Sequence, residues 1–138
     1  MSSKAPSDAR AKTPALPAPL ILLVEDEAPI REVIEAVLEA EGYRVVSSGD
    51  GSDALAVLRS GLRPCMIILD LMMPVMDGWQ FRLAQLRDAE LLKIPTVVYT
   101  AIGNVREVVE ELNVAGGFEK GDFVEMLRFV GQFCPSRA

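Results

Sequence analysis

The chain has 138 residues, half of them hydrophobic, a formal charge of −6 and no histidine. That length suits one domain able to bury roughly two-thirds of its unfolded surface, and the missing histidine excludes His-dependent triads, His-ligated zinc and a phosphohistidine carried on this chain. Charge is uneven, with +2 on the first nineteen residues (Lys4, Arg10 and Lys12 against Asp8) and −8 on the remainder, which argues against direct nucleic-acid binding.

Residues 1–19 are Ala, Pro, Ser and charge, and they read as a disordered tail whose end Pro14, Pro17 and Pro19 keep extended. No apolar run there suits a signal-peptide core, and none elsewhere approaches the roughly 20 residues that cross a membrane. A soluble, cytoplasmic protein is expected. From Leu20 short apolar runs alternate with amphipathic stretches, the pattern of βα units around a parallel sheet. Strands are predicted over Leu20–Val24, Arg44–Ser47, Met66–Leu69, Thr96–Tyr99 and Gly117–Lys120.

Helices are predicted between and after these strands. Ile30, Val33, Ile34, Val37 and Leu38 fall at helical spacing, as do Ala54, Leu55, Val57 and Leu58. Leu83 and Leu86 mark a third helix, Val105, Val108, Val109 and Leu112 a fourth, and Phe123, Met126, Leu127 and Val130 a fifth. Pro29 suits the first turn of helix one. Asp77 is expected to cap helix three with Gly78 allowing a tight entry, and Asp122 with Glu125 reads as a capping box. The fold class is therefore α/β, a doubly wound parallel sheet of five strands with five helices over residues 20–134, followed by a short tail at 135–138. Cys65 and Cys134 show neither CxxC nor metal-type spacing and are expected to be reduced thiols.

Three acids stand where strands emerge: Glu25 and Asp26 after the first, and Asp70 after the third. In open parallel sheets ligands bind outside the carboxyl ends of the strands, where strand order reverses. Carboxylates gathered there repel one another and call for a cation or a proton. Mg²⁺ fits best, since it takes oxygen ligands, keeps waters and bridges carboxylates to phosphate.

The segments Val24-Glu25-Asp26-Glu27, Leu69-Asp70-Leu71-Met72-Met73-Pro74-Val75-Met76-Asp77-Gly78-Trp79, Val97-Val98-Tyr99-Thr100-Ala101 and Lys120 together resemble the receiver domain of bacterial response regulators, over Leu20 to about Phe133. The resemblance implies the flavodoxin-like receiver fold and two-component signalling. Asp70 would accept a phosphoryl group from a histidine kinase, a phosphotransfer protein or a small phosphodonor. Asp26, Asp70 and the Met72 backbone carbonyl would hold Mg²⁺, with Glu25 acting through water. Lys120 and Thr100 would bind phosphoryl oxygens, Ala101 would leave room for them, and Thr100 with Phe118 would form the switch. A downstream protein would read the helix-four, strand-five and helix-five face, and homodimerisation through that face is left open.

The chain departs from the pattern in two places. Receivers usually place Pro after the lysine, and here Gly121 follows Lys120; they usually leave two residues between the switch aromatic and the lysine, and here only Glu119 separates Phe118 from Lys120. In a register without a gap, Gly121 takes the lysine's place and Lys120 points to the opposite side of the strand. Two other readings therefore stand beside a stand-alone phosphoacceptor that is not itself an enzyme. One is a pseudo-receiver that binds a partner constitutively. The other is an Asp-nucleophile phosphohydrolase, opposed by Met72 where such enzymes place a second Asp.

Overall fold

The computed structural model describes residues 18–101 and 103–135. Residues 1–17 and 136–138 lie outside them, and with them nearly all of the expected disordered tail and most of the terminal one. Among the described residues the strands are β1 (Leu20–Val24), β2 (Arg44–Ser48), β3 (Met66–Asp70), β4 (Thr96–Thr100) and β5 (Gly116–Glu119). The helices are α1 (Ala28–Ala40), α2 (Gly51–Arg59), α3 (Gly78–Leu86), α4 (Val105–Leu112) and α5 (Phe123–Phe133), with a 3₁₀ turn at Leu91–Lys93 before β4.

All strand pairs are parallel, in the order β2-β1-β3-β4-β5. β1 and β3 lie side by side with the chain leaving them in opposite lateral directions, so the reversal point falls between the carboxyl ends of these two strands. β3 and β4 are buried along their whole length, which is why they read as unbroken apolar runs rather than alternating ones.

Alternation of side chains across the sheet divides the core in two. Leu22, Val24, Ile67, Leu69 and Val98 pack under α2, α3 and α4 with Leu55, Leu58, Phe81 and Leu112. Ile21, Leu23, Met66, Ile68 and Tyr99 pack on the other face under α1 and α5 with Ile34, Leu38, Met126 and Val130. No described helix is long and apolar enough to cross a membrane.

Helix starts follow local chemistry. Pro29 lies in the first turn of α1. Asp77 and Gln80 form a full capping box at α3: Gln80 N–H donates to Asp77 Oδ1 at 2.9 Å and Asp77 N–H to Gln80 Oε1 at 3.0 Å. At α5 only half of the expected box is present, Glu125 N–H donating to Asp122 Oδ1 at 3.1 Å. Gly78 lets α3 approach the end of β3, since a Cβ there would lie 2.7 Å from the Asp70 carbonyl oxygen.

The cysteines correct the sequence expectation. Cys65, just before β3, and Cys134, just after α5, form a disulfide with their Cα atoms 5.8 Å apart across 69 residues of chain. No local spacing signals this pairing, because only the packing of α5 back along the sheet brings the two residues together.

Candidate functional site

β1 and β3 end side by side, and the chain delivers its acids there. Glu25, Asp26 and Asp70 each offer a carboxylate oxygen within 4.8 Å of the others. Glu25 and Asp70 are fully buried, so their charges meet with little water between them. Burial first and Glu25 second push the Asp70 carboxyl up to about 6, against lowering by Lys120 and by the Met72 amide. A buried carboxylate raised by a neighbouring one in this way lacks positive charge, and a hard divalent cation supplies it. The donor set fits such an ion.

Backbone groups fix the acids. Met72 N–H donates to Asp70 Oδ1 at 3.2 Å, and Glu27 N–H donates to Glu25 Oε2 at 3.0 Å. Arg31 on α1 donates to the Glu25 and Asp26 carbonyl oxygens at 3.0 and 3.4 Å, tying the β1–α1 turn to its helix.

Lys120 reaches the site. Its ammonium lies 3.4 Å from Asp70 Oδ2 and 3.7 Å from Glu25 Oε1. The opposite-side register fails because β5 ends at Glu119 and strand alternation ends with it. Lys120 N–H donates to the Thr100 carbonyl oxygen at 3.1 Å, and Gly121, with φ +93°, turns the chain so that the long side chain swings over the strand ends.

Thr100 is buried at the end of β4 and lines a small cavity of about 150 Å³ with Leu71, Met72, Trp79 and Val108. Ala101 beside it is exposed. Phe118 is not brought to Thr100: it packs with Tyr99, Met126 and Val130 on the α1–α5 face, while Thr100 faces α4. The residue with two positions between itself and Lys120 is Gly117, where a Cβ would come 2.7 Å from Val109 and 2.9 Å from Val105 of α4. That spot has no room for an aromatic ring, which corrects the expected pairing of Thr100 with Phe118.

Sequence reasoning missed Tyr99. It is 1% exposed, pairs in register with Asp70, and its hydroxyl donates to Glu25 Oε1. Its ring stacks on Phe118 with centroids 5.5 Å apart and planes 6° from parallel, and the Lys120 ammonium lies 5.5 Å from the ring centroid. The available signal was a phenol at the end of a strand otherwise built of Val and Thr, since a buried tyrosine hydroxyl must find a partner.

Comparison with known proteins places this geometry. The family model described as "Response regulator receiver domain" matches residues 21–119. The chain is 41% identical over 92 residues to the phosphate regulon transcriptional regulatory protein PhoB of Klebsiella pneumoniae, covering 67% of this chain and 40% of that protein. It is 34% identical over 105 residues to the DNA-binding dual master transcriptional regulator RpaA of Synechocystis, covering 75% of this chain and 40% of that one. The chain thus spans about two fifths of the length of these curated relatives.

Among solved structures, the signal receiver domain of a signal transduction histidine kinase from Syntrophus aciditrophicus superposes with TM-score 0.76 at 30% identity, covering 85% of this chain and 90% of that one. Response regulator TrrA from Thermotoga maritima, solved in complex with Mg²⁺ and BeF, superposes with TM-score 0.74 at 26% identity, covering 83% and 98%.

Proposed function

The chain belongs to the response regulator receiver family of two-component systems, and from that premise we propose that it accepts a phosphoryl group on Asp70 from a histidine kinase or phosphotransfer protein and signals through phosphorylation-dependent protein binding. The observation that carries this reading is the meeting of Glu25, Asp26 and Asp70 within 4.8 Å with the Lys120 ammonium 3.4 Å from Asp70.

In the step proposed, an Asp70 oxygen forms a bond to phosphorus as the donor's P–N bond breaks, or its P–O bond when the donor is acetyl phosphate. The leaving group departs as imidazole or acetate, and an acyl phosphate remains. A carboxylate is a weak nucleophile toward phosphorus, so the site's contribution is alignment and charge stabilisation. Asp26, Asp70 and the Met72 carbonyl would hold Mg²⁺, with Glu25 acting through water. When bound, the ion neutralises charge on the phosphoryl oxygens. Lys120 would pair with one such oxygen and the Thr100 hydroxyl would donate to another, while exposed Ala101 leaves space beside them. This is a phosphoacceptor that assists its own modification, not a turnover enzyme, and Met72 at the second position after Asp70 opposes a phosphohydrolase.

A donor protein would meet an apolar hollow of about 460 Å³ beside Lys120, formed by Ile30, Val33 and Phe123. A downstream protein would read the α4–β5–α5 face, which carries a hollow of about 830 Å³ lined by Arg106, Gly117, Glu119, Asp122 and Glu125. The charge of −8 on residues 20–138 opposes direct contact with nucleic acid.

A second reading, a pseudo-receiver that binds its partner constitutively, is favoured by Gly117 where an aromatic switch would stand. Intact mass after incubation with acetyl phosphate, with and without Mg²⁺, separates the two. The proposed function expects a Mg²⁺-dependent gain of one phosphoryl group on the natural protein and none on Asp70→Asn. No gain, beside a receiver that is modified under the same conditions, selects the constitutive module.

A further inference from the structure

We infer that Tyr99 is the positioning residue of this site, its hydroxyl fixing Glu25 and its ring carrying the Lys120 ammonium, so that the lysine is aimed at Asp70 with only a glycine behind it. The inference rests on the phosphoacceptor reading above and adds what holds the lysine in place.

A lysine side chain has four rotatable bonds and loses substantial rotamer entropy when fixed. Behind Lys120 stands Gly121 in the left-handed region, the most permissive residue the backbone could carry there. The restraint must come from the site. Tyr99 is the neighbour built for it. Its ring is held by the stack on Phe118 and sits under the ammonium at 5.5 Å, within the range of a cation–π attraction.

The hydroxyl acts through Glu25. That carboxylate is clamped on both oxygens, with the Glu27 amide on Oε2 and the Tyr99 hydroxyl on Oε1. Oε1 is also the oxygen 3.7 Å from Lys120. With the phenol in place, Glu25 has a donor of its own and the lysine rests nearer Asp70, at 3.4 Å. Without it, a fully buried carboxylate oxygen turns to Lys120 as replacement donor and draws the ammonium away from the acceptor, because a buried charge left short of donors is strongly unfavourable. Burial and the bond to Glu25 both push the Tyr99 hydroxyl up from its ordinary range, so it remains a donor throughout the neutral region. Phenylalanine would fill the same volume and stack equally well. The hydroxyl is therefore the part of Tyr99 that packing does not explain.

The test is a double-mutant cycle on the full chain with Tyr99→Phe, Lys120→Ala and the pair. The rate of phosphoryl gain from acetyl phosphate is measured at saturating Mg²⁺, and urea unfolding is measured on the same four proteins. Tyr99→Phe is expected to slow modification about tenfold, the scale of one hydrogen bond to a charged group, and to have no further effect once Lys120 is alanine. A merely structural tyrosine would slow both backgrounds equally, and that result overturns the inference, as does a Tyr99→Phe protein modified at the natural rate. Unfolding reads the coupling without phosphoryl chemistry: non-additive changes support the clamp and additive ones overturn it. Coupled unfolding with no modification of the natural protein overturns the phosphoacceptor reading, and with it the catalytic meaning of the clamp.

Discussion

Replacing Asp70 with asparagine should make the metal-free protein more stable at neutral pH. Asp70 is fully buried, and burial together with Glu25 pushes its carboxyl up to about 6 from an ordinary 3.8. That gap corresponds to about 3 kcal/mol of unfavourable ionisation in the folded state. Between about pH 4 and pH 6 the folded protein binds more protons than the unfolded chain, so stability falls as pH rises through that window and the full penalty is present above it. Asparagine keeps the shape and an oxygen for the Met72 amide, and the position of the Asp70 carboxyl at about 6 already includes the lowering by Lys120, so the lost pairing takes nothing further from this gain. The net gain is about 3 kcal/mol, or roughly 12 °C in Tm for a chain of this size. Thermal and urea unfolding in EDTA at pH 7.5 and at pH 4 measure it, and the advantage should be present at the higher pH and close at the lower. A variant no more stable than the natural protein at pH 7.5, or an advantage of the same size at both, refutes the reasoning.

Three further outcomes are expected. Asp26→Asn should remove a ligand charge and weaken Mg²⁺ binding at least tenfold, so that the stabilisation the natural protein gains from Mg²⁺, about 2.7 kcal/mol at a hundredfold excess over Kd, largely disappears from thermal scans; an unchanged Mg²⁺ response would remove Asp26 from the ligand set. Reducing the Cys65–Cys134 bond, or replacing both cysteines with serine, frees a loop spanning 69 residues and should lower stability by about 4 kcal/mol on the chain-entropy account; unfolding midpoints indifferent to reductant would contradict it. Arg82 is buried and donates to the Leu112 carbonyl oxygen at 2.9 Å, to that of Asn113 and to Gln85 Oε1 at 2.7 Å, holding the end of α4 against α3. Arg82→Ala should cost about 3 kcal/mol by removing the guanidinium from the buried Leu112 carbonyl and Gln85 Oε1, and a loss below 1 kcal/mol in urea would show that water replaces the guanidinium.

The strands and their terminal acids were legible because a sheet covered on both faces turns burial into unbroken apolar runs, so the first charged residue after each run marks where the strand emerges. Leu20–Val24 was read with its observed bounds, and the other strands differ by one residue at one or both ends. What resisted reading depends on neighbours from distant segments. Phe118 and Gly117 are adjacent in sequence, yet which of them faces Thr100 is set by the β4–β5 register, Tyr99 opposite Phe118 and Val98 opposite Gly117. Lys120 could not be placed by alternation, because it stands one residue past the strand. The role of Tyr99 needed β1, β4 and β5 assembled together, and the disulfide needed α5 laid back along the sheet.

The two ends of β3 carry opposite demands. At its carboxyl end Asp70 joins two other acids, and repulsion from Glu25 weakens the fold until a cation completes the site. At its amino end Cys65 is bonded to the end of α5, and the Cys65 amide donates to the Leu20 carbonyl oxygen at 2.9 Å, so β1, β3 and α5 are tied at the far side of the sheet. Stability need not be uniform across a domain, and regions that respond to ligands come from its less stable part. A change at the acids can therefore move the loops above the strands, Lys120-Gly121 among them, while the tied end holds the sheet register. In this arrangement the lysine is held by a tyrosine and an acid rather than by its own backbone, so under the proposed phosphorylation a charge that recruits Lys120 would also release it from Glu25. The Tyr99–Phe118 stack links that contact to α5, on the sheet face opposite Thr100.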